Sequence, residues 1–149
     1  GNVIQILPKE FLESYTYYLA GDEARSQAAA EEALPHMERY ARERPDDAFS
    51  HVAYGLTLAA LGRHQEAVQE GELAMEILPL EKDAIYAPFL IWWMGTIYVM
   101  VGDYEAALDQ MEVLLSIPTT HSVATMEGSP LLDKVRDLPR YQQLIEKYR

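Results

Sequence analysis

Residues 48–79 read AFSHVAYGLTLAALGRHQEAVQEGELAMEILP, and the small residues in this stretch decide the fold. Gly55, Gly62, Ala67, Ala74 and Pro79 stand where two antiparallel helices would approach closely, turn and end. Small side chains let helix backbones cross at short range, and a glycine opens the turn between them. Further along, Gly95, Gly102 and Ala107 repeat the first three positions at the same mutual spacing. Leu114 then replaces the second alanine, and Pro118 arrives one residue early. A helical hairpin of this kind cannot bury its apolar face alone, so such units stack on one another.

Outward from this stretch, the pattern stays helical. Residues 7–20 open with Pro8, suited to a first helical turn, and end at Gly21. Residues 22–44 read as a second helix, with a kink or break expected at Pro35 because proline lacks a backbone donor. The run Pro45-Asp46-Asp47 ends it and supplies a cap for the next helix. Helices follow at about 48–61, 64–78, 83–101 and 104–117, with an insertion at 80–87. Beyond Pro118 the residues Thr119 to Ser122 and Glu127-Gly128-Ser129-Pro130 are turn and cap chemistry, and a short amphipathic helix closes the chain near 138–148. No stretch alternates with period two, so the reading is all-α: hairpins at about 7–45, 48–79 and 83–118, then a capping segment, 119–149, all within one domain spanning 1–149.

The composition narrows the function. The chain has 149 residues, 49% of them hydrophobic, enough for a core that buries roughly two thirds of the unfolded surface. Lys and Arg number 12 against 24 Asp and Glu, a net charge of -12. That field repels a phosphate backbone and an anionic membrane surface, which argues against nucleic-acid and membrane partners. The absence of cysteine removes disulfides, thiolate metal sites and cysteine nucleophiles, and leaves the compartment undecided, with the cytoplasm favoured over an extracytoplasmic location. The most apolar stretch, 84–101, contains Pro88 and several small or polar residues and reads as a buried helix. No signal peptide is visible, and the opening GNVIQ, without an initiator Met, reads as the start of a piece of a longer chain.

With these residues in view, the repeat resembles the tetratricopeptide (TPR) family, across about four fifths of the chain. It departs from the family at His51, where the first helix usually carries an aromatic residue, and at Gly71, where the second carries a large one. The tail YEAALDQMEVLLSIPTTHSV…SPLLDKVRDLPRYQQLIEKY is similar to the end of TPR regions attached to bacterial signalling proteins such as serine/threonine kinases, adenylate cyclases and TolB-like chains. The corresponding residues are Asp133, Lys134, Val135, Arg136, Pro139, Arg140 and Tyr141, with Lys134-Val135 in place of the family's Pro-Leu pair and Tyr141 in place of its Phe. This resemblance implies a three-hairpin α-α superhelix acting as a regulatory accessory module.

The resemblance also implies a concave groove lined by the first helix of each hairpin. Its positions fall on Phe11, Tyr15, Tyr18 and Leu19, then on Phe49, Val52, Leu56, Ala59 and Ala60, and finally on Phe89, Trp92, Thr96, Val99 and Met100. None is Lys, Arg or Asn, which excludes the carboxylate clamp of chaperone-binding TPR domains. An apolar groove favours a hydrophobic helix or extended peptide instead. Three occupants compete: the chain's own closing segment, an external peptide or domain, and a second copy in a homodimer. A small apolar ligand and a purely architectural role are the readings from other classes. Trp92 and Trp93 are adjacent, about 100 degrees apart on a helix, so only one can face the groove.

The inventory for catalysis is thin. His36, His51, His64 and His121 fall in different elements without ligand-like spacing, so no metal or cofactor is expected. The pairs Asp22-Glu23, Glu31-Glu32 and Asp46-Asp47 sit at caps and turns, where a helix dipole stabilises them. The glycines belong to crossings and turns rather than to a phosphate loop. Arg136 and Arg140 are expected to pair with acidic groups or free carbonyls of the last hairpin and so to hold the closing segment down.

Overall fold

The computed structural model describes residues 7–149; the GNVIQ opening, which suggested a longer chain, lies outside the described residues. The fold is all-α, with no strand among the described residues. Six helices form three consecutive hairpins: α1 (Lys9–Leu19) with α2 (Glu23–Glu43), α3 (Ala48–Ala60) with α4 (His64–Ile77), and α5 (Ala87–Val101) with α6 (Tyr104–Ser116). The hairpins stack through α2 on α3 and α4 on α5, while the first helices touch along α1, α3 and α5.

The three turns are built alike. Gly21, Gly62 and Gly102 all take the left-handed conformation, with φ of 78°, 76° and 83°. In each turn the following amide donates back to the helix: Asp22 to the Tyr17 carbonyl at 2.9 Å, Arg63 to Leu58 at 3.0 Å, and Asp103 to Tyr98 at 2.9 Å. Only glycine reaches this φ without steric cost, which is why the turns fall where it stands. Asp22, Asp47 and Asp103 then cap α2, α3 and α6 through side-chain oxygens.

Close crossings account for the remaining small residues. A Cβ at Gly55 would lie 3.0 Å from the Ala67 carbonyl oxygen of α4. One at Gly71 would collide with the buried Met94 of α5, and one at Gly95 would meet the Met111 methyl at 2.6 Å. Gly71 is therefore the space that admits the next hairpin. In the first hairpin a polar clasp does this work: Ser14 Oγ donates to the Ser26 carbonyl at 2.9 Å and Ser26 Oγ to the Ser14 carbonyl at 2.8 Å, both side chains buried.

Three local expectations change. α2 continues through Pro35 without a break; the carbonyl that the proline leaves without its usual donor belongs to Glu31, an exposed residue. α5 begins at Ala87 rather than near 83, because Asp83 Oδ1 caps a turn by accepting from Ile85 N and Tyr86 N, both at 2.9 Å. Residues 119–137 are not merely turns: Ser122 caps α7 (Val123–Gly128), and a 3-10 turn follows at Pro130–Lys134 before α8 (Pro139–Tyr148).

This closing segment builds a second core with the third hairpin. Met126, Leu131, Leu132, Val135, Tyr141, Leu144 and Ile145 pack with Ile91, Val99, Leu108, Met111 and Leu114. The 3-10 turn lies on α5 and α8 lies on α6, which together are the contacts a following first helix would make.

Candidate functional site

On α3, Phe49, Val52, Ala53 and Leu56 recur at spacings of three and four, so they share one helix face. That face, with Leu7, Phe11 of α1, the cap residue Asp47 and Trp93 of α5, lines an open cleft of about 410 Å³. The other side of α3 is committed to α4, and Leu58 there is fully buried. Trp93 meets Tyr15 edge-on, with ring centroids 5.4 Å apart, which ties α5 to α1 beside the cleft. Burial raises the Tyr15 phenol to about 12; neighbouring Tyr18 adds to the shift and a hydrogen bond with Thr96 opposes it.

Of the groove positions read from the sequence, Phe11, Phe49, Val52 and Leu56 line this cleft. Tyr15 stands next to it against Trp93. Tyr18, Ala59, Ala60 and Met100 lie at the far end, around a smaller polar depression that also includes Glu23, His64 and Lys134. Thr96 and Val99 are buried, and the Thr96 hydroxyl donates to the Trp92 carbonyl at 3.0 Å. Leu19 packs into the second core. The tryptophan in the cleft is Trp93, whereas the sequence reading chose Trp92. Trp92 turns to the closing segment and stacks on His121, with centroids 5.1 Å apart and planes at 21°. Phe89, still partly exposed, meets the same imidazole edge-on at 5.9 Å. The signal for Trp93 was present: relative to Gly55 and Gly95 it occupies the position of Ala53, which also lines the cleft.

The closing segment therefore covers one end of the row of first helices and leaves the other open. His121 covers Trp92, and Lys134 Nζ lies 5.1 Å above the Tyr18 ring. Nothing from 119–149 lines the cleft between Phe49 and Trp93. Burial lowers the His121 pKa.

Arg140 behaves as the sequence suggested. It joins α8 to α6 by donating to the Glu105 carbonyl at 3.1 Å, the Glu105 carboxylate at 2.8 Å and Asp109 at 2.5 Å. Arg136 does not reach the last hairpin. Its guanidinium donates to Asp133 at 2.9 Å, the Ser129 carbonyl at 2.5 Å and the Tyr141 hydroxyl at 3.1 Å, so it locks the closing segment to itself. The reason is reach: Arg136 sits on the bend between the 3-10 turn and α8, with carbonyls of its own segment nearest.

The charge distribution is one-sided. Eight of the twelve Lys and Arg form ion pairs within the chain. The other four are also engaged: Arg39 with His36, Lys82 with the Ile77 carbonyl, and Arg44 and Lys134 over the rings of Tyr40 and Tyr18. The surplus of carboxylates has no internal counter-charge. Within the described residues no His, Asp and Glu converge in threes to hold a metal ion, and no helix is long and apolar enough to cross a membrane.

No family model matches the chain, and no curated protein or solved structure is significantly similar to it.

Proposed function

We propose that this chain is a non-catalytic protein–protein interaction module, a TPR-like array of three hairpins that receives a hydrophobic helix or extended peptide in the cleft between α1, α3 and α5. The observation that carries the reading is the open apolar cleft, lined by Phe11, Phe49, Val52, Leu56 and Trp93 and left uncovered by the closing segment. Aromatic anchors around an apolar depression are where binding energy concentrates in protein interfaces. A regulatory accessory role within a larger bacterial signalling protein is the setting that the resemblance read from the tail sequence implies.

Selection of peptides from a random library tests this reading, with counter-selection on Phe49→Gln. Recovery of apolar sequences that bind wild type and not the variant is the expected result. A library that yields no cleft-dependent binder removes the proposal. The cleft volume also falls within the range of small-ligand sites. Native mass spectrometry of the purified protein addresses that second reading, because a bound small molecule would favour a sensor.

A further inference from the structure

The cleft is apolar but not neutral at its mouth. Among the described residues Asp47 is its one charged lining residue, and Glu10 and Asp46 adjoin lining residues in the chain. Asp47 Oδ1 accepts from Phe49 N at 3.2 Å and Oδ2 from Ser50 Oγ at 2.5 Å. A carboxylate offers about four acceptor sites, so each oxygen retains capacity for a further donor. Lys9 pairs with Glu13 at 3.0 Å, and Arg44 lies over Tyr40 with its Nη1 buried and without a hydrogen-bond partner; neither forms an ion pair with Asp47. The mouth is held in place by His51, whose Nε2 lies 2.9 Å from the Pro45 carbonyl of the same loop.

We propose that the occupant of the cleft is a cationic amphipathic segment of another protein. Its apolar side chains sit against Phe49, Val52 and Trp93, and a Lys or Arg approaches Asp47. This inference rests on the interaction-module reading above and adds the partner's chemistry to it. Charge complementarity carries it. The chain has a net charge of -12 and none of its Lys or Arg forms an ion pair with Asp47, so a counter-charge for that carboxylate has to come from the partner. A field of that sign raises the encounter rate of basic segments and disfavours acidic ones.

The test uses three labelled synthetic peptides of one amphipathic pattern, Leu/Lys, Leu/Gln and Leu/Glu, titrated into the full chain and followed by fluorescence anisotropy. Three variants accompany wild type: Asp46→Asn/Asp47→Asn, in which asparagine keeps the cap of α3; Asp47→Ser, which keeps it with a different side chain; and Phe49→Gln. Circular dichroism confirms that each is folded. The expected result is that Leu/Lys binds wild type about tenfold or more tighter than Leu/Gln, with Leu/Glu weakest. That preference should collapse in both aspartate variants, and Phe49→Gln should weaken every peptide. Equal binding of Leu/Lys and Leu/Gln, both lost in Phe49→Gln, overturns the cationic partner and leaves the cleft reading standing. A Leu/Lys preference that survives both aspartate variants or ignores Phe49→Gln overturns it as well, since attraction to the general acidic surface then suffices. Failure of all three peptides on wild type overturns the inference, while the library selection separately decides the cleft reading.

Discussion

His51 Nδ1 of α3 lies 2.7 Å from Glu70 Oε2 of α4, beneath a buried imidazole whose other nitrogen faces the Pro45 carbonyl. The ring thus places one nitrogen within hydrogen-bond distance of the loop before α3 and the other within reach of α4. At this position the chain makes a polar bridge. His51→Phe leaves the Glu70 carboxylate and the Pro45 carbonyl without this donor and should cost about 1–3 kcal/mol. Glu70→Leu in the same background should recover part of the loss, because the two residues act as a unit. Urea unfolding of the four proteins of this cycle checks it; strictly additive losses would sink the idea.

The glycines at helix crossings should not respond equally. At Gly55 a methyl group meets the Ala67 backbone oxygen at 3.0 Å, and a backbone cannot swing aside. Gly55→Ala should therefore destabilise by about 1–3 kcal/mol through forced separation of α3 and α4. At Gly95 the obstacle is the Met111 methyl at 2.6 Å, the mobile end of a flexible side chain. Alanine there gains up to about 1 kcal/mol of helix propensity, so Gly95→Ala should be close to neutral. Denaturation midpoints of the two variants give the comparison, and equal losses would refute it.

Arg140 should govern the docking of α8. Its partners on α6 are largely exposed, so their pairing with it is worth only about 1 kcal/mol in total. Arg140→Ala should raise amide exchange in α8 by about fivefold while leaving the middle hairpin unchanged. Arg140→Lys should not restore protection fully, because one ammonium cannot reproduce the spread of guanidinium contacts. Hydrogen-exchange mass spectrometry resolves the two regions.

His121 predicts a specific acid sensitivity. Burial between Trp92 and Phe89 lowers its folded-state pKa below that of the unfolded chain, where histidine titrates near 6.5. Between those two values the unfolded chain binds the proton and the folded chain does not, so acid favours unfolding. The stabilisation is whole above about pH 6.5 and is lost as pH falls through the folded value. His121→Phe keeps the ring packing and removes the proton site. Its melting temperature should fall less than that of wild type between about pH 7.5 and about pH 5. Parallel declines would show that His121 does not contribute.

The helical hairpins were legible because glycine marks both turn and crossing, and no other residue satisfies the left-handed conformation as easily. The first hairpin carries the same turn at Gly21. Its clasp was not legible: Ser14 and Ser26 look like ordinary surface serines until the two helices are laid together. α7 and the 3-10 turn were missed because short helices flanked by Ser122, Ser129 and Pro130 carry the same residues as loops. At the cleft, the choice between two adjacent tryptophans depends on the rotation of α5 about its axis. Packing of Met94 into the space at Gly71 sets that rotation, and periodicity alone does not specify it.

The closing segment has a consequence for assembly. Stacked repeats left open at one end present an apolar face on which another copy can seat head to tail, and such heterologous contacts propagate into fibres when the rotation does not close. Here that face of α5 and α6 is occupied by the chain itself, through Leu132, Val135 and Leu144, with Arg140 as a clamp across the seam. Growth from that end would first require peeling away a folded segment. The tail thus limits the length of the array, separately from anything bound in the cleft.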